Sequence, residues 1–247
     1  MITRKSKREI ETMRRAGRVV AEVLALVESE LAPGVTTGHL DGLAERHIRS
    51  SGAIPSFLGY LGSGRYGRGP GAFPASTCIS IDSEVVHGIP GERIIREGQL
   101  VSVDVGAIVD GWHGDGARTF LVGKVPPEVA ELVETTRLGM MAGIAAAQPG
   151  GRLIDISGAV EDVATPKGYG IVRHFVGHGI GTEMHQDPQI PNYRTRQKGP
   201  ELQPGMCLAI EPMFTLGSGD VAVLPDGWTV VTIDGSLAAH FEHTIAI

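Results

Sequence analysis

The residues able to perform chemistry lie beside two short phrases that each occur twice, in the same order. His87-Gly88-Ile89 precedes Asp110-Gly111-Trp112 in the first half of the chain. The same phrases return as His178-Gly179-Ile180 and Asp226-Gly227-Trp228 in the second half. The shared order indicates two related halves that bring their side chains to one site.

Acidic residues occur at corresponding positions relative to these repeated phrases. Asp104 and Asp115 stand in the first half where Glu211 and Glu242 stand in the second. Histidines and acids that converge in this way are typical of a metal enzyme. We therefore predict a single catalytic domain over residues 1–247, built from pseudo-repeats at about 6–123 and 126–247.

The elements that must position these groups follow the same order in each half, with helices before strands. Ser6-x-x-Glu9 is a capping box that opens the first helix, and Pro33-Gly34 ends it. Pro126-Pro127 opens the corresponding helix of the second half, and Pro149-Gly150 ends it. Further helices are predicted over 37–51 and up to about 167. Strands are predicted over 77–81, 100–109, 117–122, 206–210, 229–233 and 241–247. This order favours an α+β fold.

A hairpin places the first two acids on one face. Asp110-Gly111 is a two-residue turn signal, so Gly106 is expected opposite Asp115. Asp104 lies two residues from Gly106 and therefore points to the same face, about 7–8 Å from Asp115 at the backbone. The small residues on this face leave room for an ion.

A single acid in a strand is more often solvated than buried. Asp104 and Glu211, however, lie in apolar runs with no Lys or Arg close in sequence. Buried carboxylates need cations. Four carboxylates with His178 form an oxygen-rich set that suits Mn, Fe or Co, and two ions roughly 3.5–4 Å apart would balance the charge.

Three histidines lie in glycine-rich or acidic contexts, namely His87, His178 and His185. The glycines beside His178 let other backbone atoms approach closely. The remaining histidines are interpreted as structural: His39, His47, His113, His174, His240 and His243.

Composition limits the function classes. The chain has 247 residues, 42% hydrophobic and 20% charged, with a net charge of −6, which disfavours a nucleic-acid binder that relies on overall charge. Cys78 and Cys207 form no Cys-x-x-Cys motif, and no apolar run approaches about 20 residues. We expect a cytoplasmic protein that neither enters a membrane nor binds a specific nucleic acid.

The segments that carry this chemistry resemble those of type I methionine aminopeptidases over nearly the whole chain. They are Val86-His87-Gly88-Ile89-Pro90, Ser102-Val103-Asp104-Val105, His113-Gly114-Asp115, Gly177-His178-Gly179-Ile180-Gly181, Ile210-Glu211-Pro212-Met213 and Glu242-His243-Thr244-Ile245. The resemblance implies the pita-bread fold, with two pseudosymmetric halves whose antiparallel sheets are covered by helices. It also implies removal of the initiator methionine from nascent chains when the second residue is small.

The resemblance further implies a role for each site residue. Asp104 would chelate one metal ion, and Asp115 and Glu242 would bridge to a second ion held by His178 and Glu211. Glu211 would also act as general acid and base. His87 and His185 would contact the substrate peptide and support the tetrahedral intermediate. The methionine side chain would lie against Phe73, Cys78, Met184, Trp228 and Tyr60.

One segment departs from the family pattern. Residues 61–72 make the loop about ten residues longer than usual, and Gly62-x-Gly64-x-x-Gly67 within it matches a dinucleotide fingerprint. No strand–helix unit surrounds that match, so we dismiss it. The loop is interpreted as a mobile surface segment; the alternative is that Arg65 and Arg68 form a rim over the methionine pocket.

Two other functions stay open from the sequence. One is a peptidase of the same fold that cleaves beside proline, although such relatives usually carry a large extra N-terminal domain. The other is a non-catalytic protein of this fold that binds peptides or ribosomes. For the leading function we expect a monomer that meets nascent polypeptide N-termini and makes a transient contact with the ribosome.

Overall fold

The computed structural model describes residues 2–62 and 71–247. Its helices are α1 (Lys7–Glu30), α2 (Thr37–Ser50), α3 (Pro127–Ala146) and α4 (Leu153–Ala164), the last followed by a 3₁₀ turn at Thr165–Lys167. Its strands are β1 (Ile54–Pro55), β2 (Thr77–Ile81), β3 (Glu84–Val86), β4 (Leu100–Val109), β5 (Trp112–Leu121), β6 (Gly170–Ile171), β7 (Gly177–Gly179), β8 (Gln186–Ile190), β9 (Cys207–Ile210), β10 (Met213–Thr215), β11 (Val221–Val223), β12 (Val230–Thr232), β13 (Ala238–His240) and β14 (Glu242–Ala246).

Local signals in the sequence set the helix starts. Ser6 accepts a hydrogen bond from the Glu9 backbone while the Glu9 carboxylate accepts one from the Ser6 N–H, so the predicted capping box of α1 is confirmed. Thr36 caps α2 by accepting from the backbone N–H of His39. Pro127 occupies the first turn of α3, where its missing N–H costs nothing.

The main sheet joins the two halves of the chain. Its strand order is β1-β4-β5-β14-β9-β7-β8, and β2 also pairs with β4. The junction is the antiparallel pair β5–β14, which sets Glu242 opposite Ala117. Smaller sheets follow the orders β13-β10-β6 and β11-β12-β3. Helices over antiparallel sheets confirm the predicted α+β class.

Close packing of helix on sheet fixes the strands that carry the acids. A Cβ atom at Gly114 would lie 2.5 Å from the backbone nitrogen of Gly17 in α1, so only glycine allows this approach. In the second half, a Cβ atom at Gly143 of α3 would lie 3.1 Å from the Ile210 side chain, at the end of the strand that precedes Glu211. Both contacts leave the strands little freedom to shift.

The helices themselves show no membrane-spanning character. Within residues 2–62 and 71–247, no helix is both long enough and apolar enough to cross a bilayer.

Candidate metal centre and substrate pocket

Cross-strand register brings the first two acids to one face of the sheet. Gly106 pairs with Asp115 and Asp104 pairs with Ala117, which confirms the predicted hairpin register. On the other side of β4, Cys78 lies opposite Asp104. The row therefore reads Cys78, Asp104, Ala117 and, across the junction, Glu242. The small Ala117 side chain separates two carboxylates that face the same space.

The second half supplies the remaining candidate ligands. His178 in β7 lies opposite Ala209 of β9, and Glu211 follows the last residue of β9. The glycines beside His178 allow this packing: a Cβ at Gly177 would lie 2.4 Å from the Ala209 carbonyl oxygen. A Cβ at Gly179 would lie 2.1 Å from the Asp187 carbonyl oxygen.

The candidate ligand atoms of this cluster lie close together. One ligand atom from each of Asp115, His178 and Glu242 lies within 4.8 Å of the other two. The His178 Nε2 atom lies 3.5 Å from Glu211 Oε1 and 3.9 Å from Glu242 Oε1. In the described part of the chain, Asp104 Oδ1 and Glu242 Oε1 are buried without a hydrogen-bond partner. These orphaned oxygens fit a site for divalent cations.

The tautomer of His178 suits a metal ligand. Its Nδ1 atom lies 3.0 Å from the Gly179 carbonyl oxygen, which can only accept a hydrogen bond. The proton therefore resides on Nδ1 and leaves the Nε2 lone pair directed at the carboxylates.

In the absence of metal, burial and mutual repulsion raise the pKa values of the four carboxyl groups. Burial raises the pKa of Asp104 to about 7. Burial, followed by the charges of neighbouring acids, raises the pKa values of Asp115, Glu211 and Glu242 well above their usual range. Burial also lowers the pKa of His178 to about 4. A divalent cation would remove the repulsion, so the residues fit the ion that the sequence predicts.

The outer histidines flank this cluster. The His185 ring centroid lies 4.3 Å from that of His178, and its Nδ1 atom is 2.7 Å from the Tyr60 hydroxyl oxygen. His87 lies edge-on to Phe175, with ring centroids 5.4 Å apart. Burial lowers the pKa of His87 to about 4 and lowers that of His185 as well. Both rings are therefore neutral at pH 7 and able to donate one N–H.

The carboxylates line one cavity of about 270 Å³ together with a group of apolar side chains. Every residue predicted for the methionine pocket lines it: Tyr60, Phe73, Cys78, Met184 and Trp228. Phe73 and Trp228 meet edge to face, with centroids 5.2 Å apart. An apolar pocket beside a cluster of polar ligands is the usual form of a small-substrate site.

Sequence reasoning missed several residues of this site. Phe57, Phe175 and Val223 also line the cavity. His240, interpreted as structural, is buried with its Nε2 atom 3.8 Å from Glu211 Oε2. Phe175, three residues before His178, could have been found by its place beside the glycine-flanked histidine; the others carry no local signal.

A buried lysine ties the N-terminal segment to the loop that carries Met184 and His185. The Lys5 ammonium donates to Thr3 Oγ1 at 2.9 Å and to Gln186 Oε1 at 3.1 Å. The Lys5 backbone N–H donates to the Gly205 carbonyl oxygen at 2.6 Å. Burial lowers the pKa of Lys5. No sequence pattern pointed to this contact.

Part of the inserted segment lies outside the described residues. The alternatives for Arg65 and Arg68, and the match at Gly62-x-Gly64-x-x-Gly67, fall largely within residues 63–70 and stay predictions.

The chain is similar to known proteins over almost its whole length. Residues 11–247 match the model of metallopeptidase family M24. The chain is 50% identical to a methionine aminopeptidase of Clostridium acetobutylicum, over 100% of this chain and 95% of that protein. A methionine aminopeptidase structure from Thermotoga maritima superimposes with a TM-score of 0.94 at 43% identity, covering 100% of this chain and 96% of that one.

A more distant likeness concerns the fold alone. A prolidase from Pyrococcus furiosus superimposes with a TM-score of 0.77 at 24% identity, covering 99% of this chain but 62% of that one. The close relatives are instead matched over almost their whole length. The chain therefore belongs to metallopeptidase family M24, among its methionine aminopeptidases.

Proposed function

We propose that the chain removes the initiator methionine from proteins whose second residue is small, by hydrolysing the first peptide bond with two divalent metal ions. The observation that carries this proposal is a single cavity of about 270 Å³ that is lined both by apolar side chains and by the four carboxylates with His178. An unbranched apolar side chain fits such a cavity, while the free amine beside it faces the carboxylates that would hold the ions.

The residues divide between holding ions and handling the peptide. Asp104, Asp115, Glu242, His178 and Glu211 would hold two ions, which supply an acidified water and polarise the scissile carbonyl. Glu211 would bind an ion as a carboxylate, and its oxygen lone pairs can accept the proton that the acidified water loses. That proton can pass from a Glu211 carboxyl oxygen to the leaving amine.

The outer histidines would stabilise charge on the substrate. His87 and His185 are neutral at pH 7, so each ring can donate one N–H without bringing a second charge into the site. A donor aimed at the carbonyl oxygen becomes more favourable as negative charge develops there.

Donor chemistry restricts the metal without selecting one ion. Four carboxylates and one imidazole suit Mn, Fe or Co, and availability often decides among them. The test is to remove metal with a chelator, restore Mn, Fe, Co or Zn singly, and follow cleavage of Met-Ala peptides. Activity that persists after complete removal of metal would overturn the proposal.

Comparison of Met-Ala-x with x-Pro peptides tests the alternative of a proline-directed peptidase. The likeness to a prolidase extends to the fold alone, so cleavage of Met-Ala-x only is expected. A non-catalytic peptide-binding or ribosome-binding role would show binding of Met-Ala peptides without cleavage at any metal.

The setting of the reaction completes the proposal. We expect the enzyme to act in the cytoplasm as a monomer on nascent polypeptide N-termini, with a transient ribosome contact. A membrane or a specific nucleic acid is not expected as a partner. Sedimentation of the purified protein alone and with ribosomes tests the monomer and the contact.

A further inference from the structure

Strand β11 is an edge strand at the mouth of the substrate cavity. In the sheet order β11-β12-β3 it has a partner on one side only. Val223 lines the cavity and is 54% exposed, and Ala222 is exposed as well. All three residues of β11 are apolar, without the charge or proline that commonly shields an edge.

The hydrogen-bond pattern shows which backbone groups face outward. The Leu224 N–H donates to the Thr229 carbonyl, and the Ile233 N–H donates to the Asp220 carbonyl. Hydrogen-bonded pairs alternate along an antiparallel ladder, so the bonded pair between these two is Ala222 with Val231. The N–H and C=O groups of Val221 and Val223 must therefore point away from β12.

The inner strand supports the same assignment. The Thr232 N–H donates to the Ser83 carbonyl on the β3 side, so its cross-strand partner Val221 receives no bond from it. Within residues 2–62 and 71–247, no backbone group of a turn or loop hydrogen-bonds to Val221 or Val223. The outer edge of β11 therefore presents two N–H donors and two C=O acceptors, those of Val221 and of Val223, and Val223 also lines the cavity.

We propose that β11 binds the substrate beyond its second residue, with the peptide adding to the sheet as a further strand. The occupant is the extended main chain of the same polypeptide whose methionine fills the cavity, because Val223 belongs to both surfaces. Main-chain hydrogen bonds read no side chains. Such a subsite therefore suits an enzyme that must accept many sequences after the second residue. This inference rests on the proposed function.

Substrate length is the first test. With the metal-loaded enzyme, kcat/KM should rise from Met-Ala to a hexapeptide Met-Ala-Ser-Ser-Ser-Ser, by about three- to tenfold for each hydrogen bond formed. Failure to cleave either peptide would refute the proposed function. Cleavage of Met-Ala without any gain from added length would refute the subsite alone.

An ester scan of the substrate tests the strand geometry. Replacing single amides beyond the second residue by esters removes one N–H while keeping an extended trans chain. Alternate replacements should lower kcat/KM, because only every second amide of an added strand faces β11. Equal effects at all positions, or none, would overturn strand addition.

A substitution in β11 tests the hydrogen bonds that the protein backbone would contribute to the substrate. Val221→Pro removes an outward N–H that β12 does not use, and should reduce the ratio of kcat/KM for the hexapeptide over that for Met-Ala. Val221→Ala keeps the N–H and should keep that ratio. Thermal unfolding identifies a variant that fails to fold, and the ester scan on the unaltered enzyme then decides. An unchanged ratio in a folded Val221→Pro variant would overturn the proposal.

Discussion

The carboxylate cluster and the methionine pocket share one cavity but are built by different means. Asp104, Asp115 and Glu242 are held by cross-strand register within one continuous sheet. The pocket instead gathers Tyr60 and Phe73 from the two sides of segment 61–72, with Trp228 from a turn. A ladder of backbone bonds sets position regardless of side chain, whereas loops depend on packing. Substitutions in the cluster should therefore remove catalysis while leaving the fold intact, whereas substitutions in the pocket should weaken substrate binding.

The largest effect is expected at the cluster. Asp115→Asn should lower kcat/KM on Met-Ala peptides by more than about 100-fold, because residues that merely support metal ligands already contribute about 10–100-fold. At neutral pH the metal-free variant should melt at a higher temperature than the metal-free parent, because the parent must protonate the buried Asp115 carboxyl group on folding and the amide need not. Peptide cleavage and thermal unfolding in chelator measure the two effects. A fully active variant would show that Asp115 is not needed for catalysis. A variant that is less stable than the parent without metal would show that the Asp115 carboxyl group supports the fold.

The pocket should respond mainly in KM. Met184→Ala removes a side chain that is 4% exposed, so we expect a loss of stability of about 2 kcal/mol and a KM for Met-Ala peptides raised by about tenfold. Met184→Leu, which conserves volume, is the matched control and should lie close to the parent. Steady-state kinetics and denaturant unfolding check both. A fall in kcat alone would show that Met184 orders the chemistry and not the fit.

The pH dependence of stability sharpens the description of the cluster. The pKa of Asp104 is raised to about 7 from an ordinary value of 3.8, so between these values the folded metal-free protein holds a proton that the unfolded chain has lost. The stabilisation from that proton is complete below about pH 4 and disappears as pH rises through about 7. Asp104→Asn lacks this dependence.

The free energy of unfolding of metal-free Asp104→Asn, relative to that of the parent, should therefore increase from about pH 4 to 7 and then level off. Urea unfolding in chelator at several pH values measures the difference. A difference that is constant with pH would mean that Asp104 is not the group that titrates.

The smallest effect is expected at the contact that supports the pocket from behind. Lys5→Met removes the ammonium that bonds Gln186, next to His185, and should change kcat/KM by about two- to tenfold. Lys7→Met, an exposed lysine on the same segment, is the matched control and should leave kcat/KM unchanged. If the loop is positioned by Lys5, KM should change more than kcat. Equal effects of the two variants would show that Lys5 does not position the loop that carries His185.

The sequence by itself predicted the fold class and the groups of the cluster. The Asp110-Gly111 turn fixes which residues of β4 and β5 are opposite, so Asp104 and Asp115 could be placed on one face from local rules. The capping box at Ser6 and the proline–glycine stops located the helices in the same way. These features depend on residues a few positions apart, so they can be predicted from the sequence alone.

Only the tertiary structure brought the halves together. The pairing of Glu242 with Ala117 spans more than half the chain, and nothing local specifies it. His240 beside Glu211 and Lys5 beside Gln186 depend on the same long-range packing, as does the exposure of the β11 edge. Such contacts follow from how helices and sheets bury their apolar faces against one another, so they are determined by the folded chain as a whole.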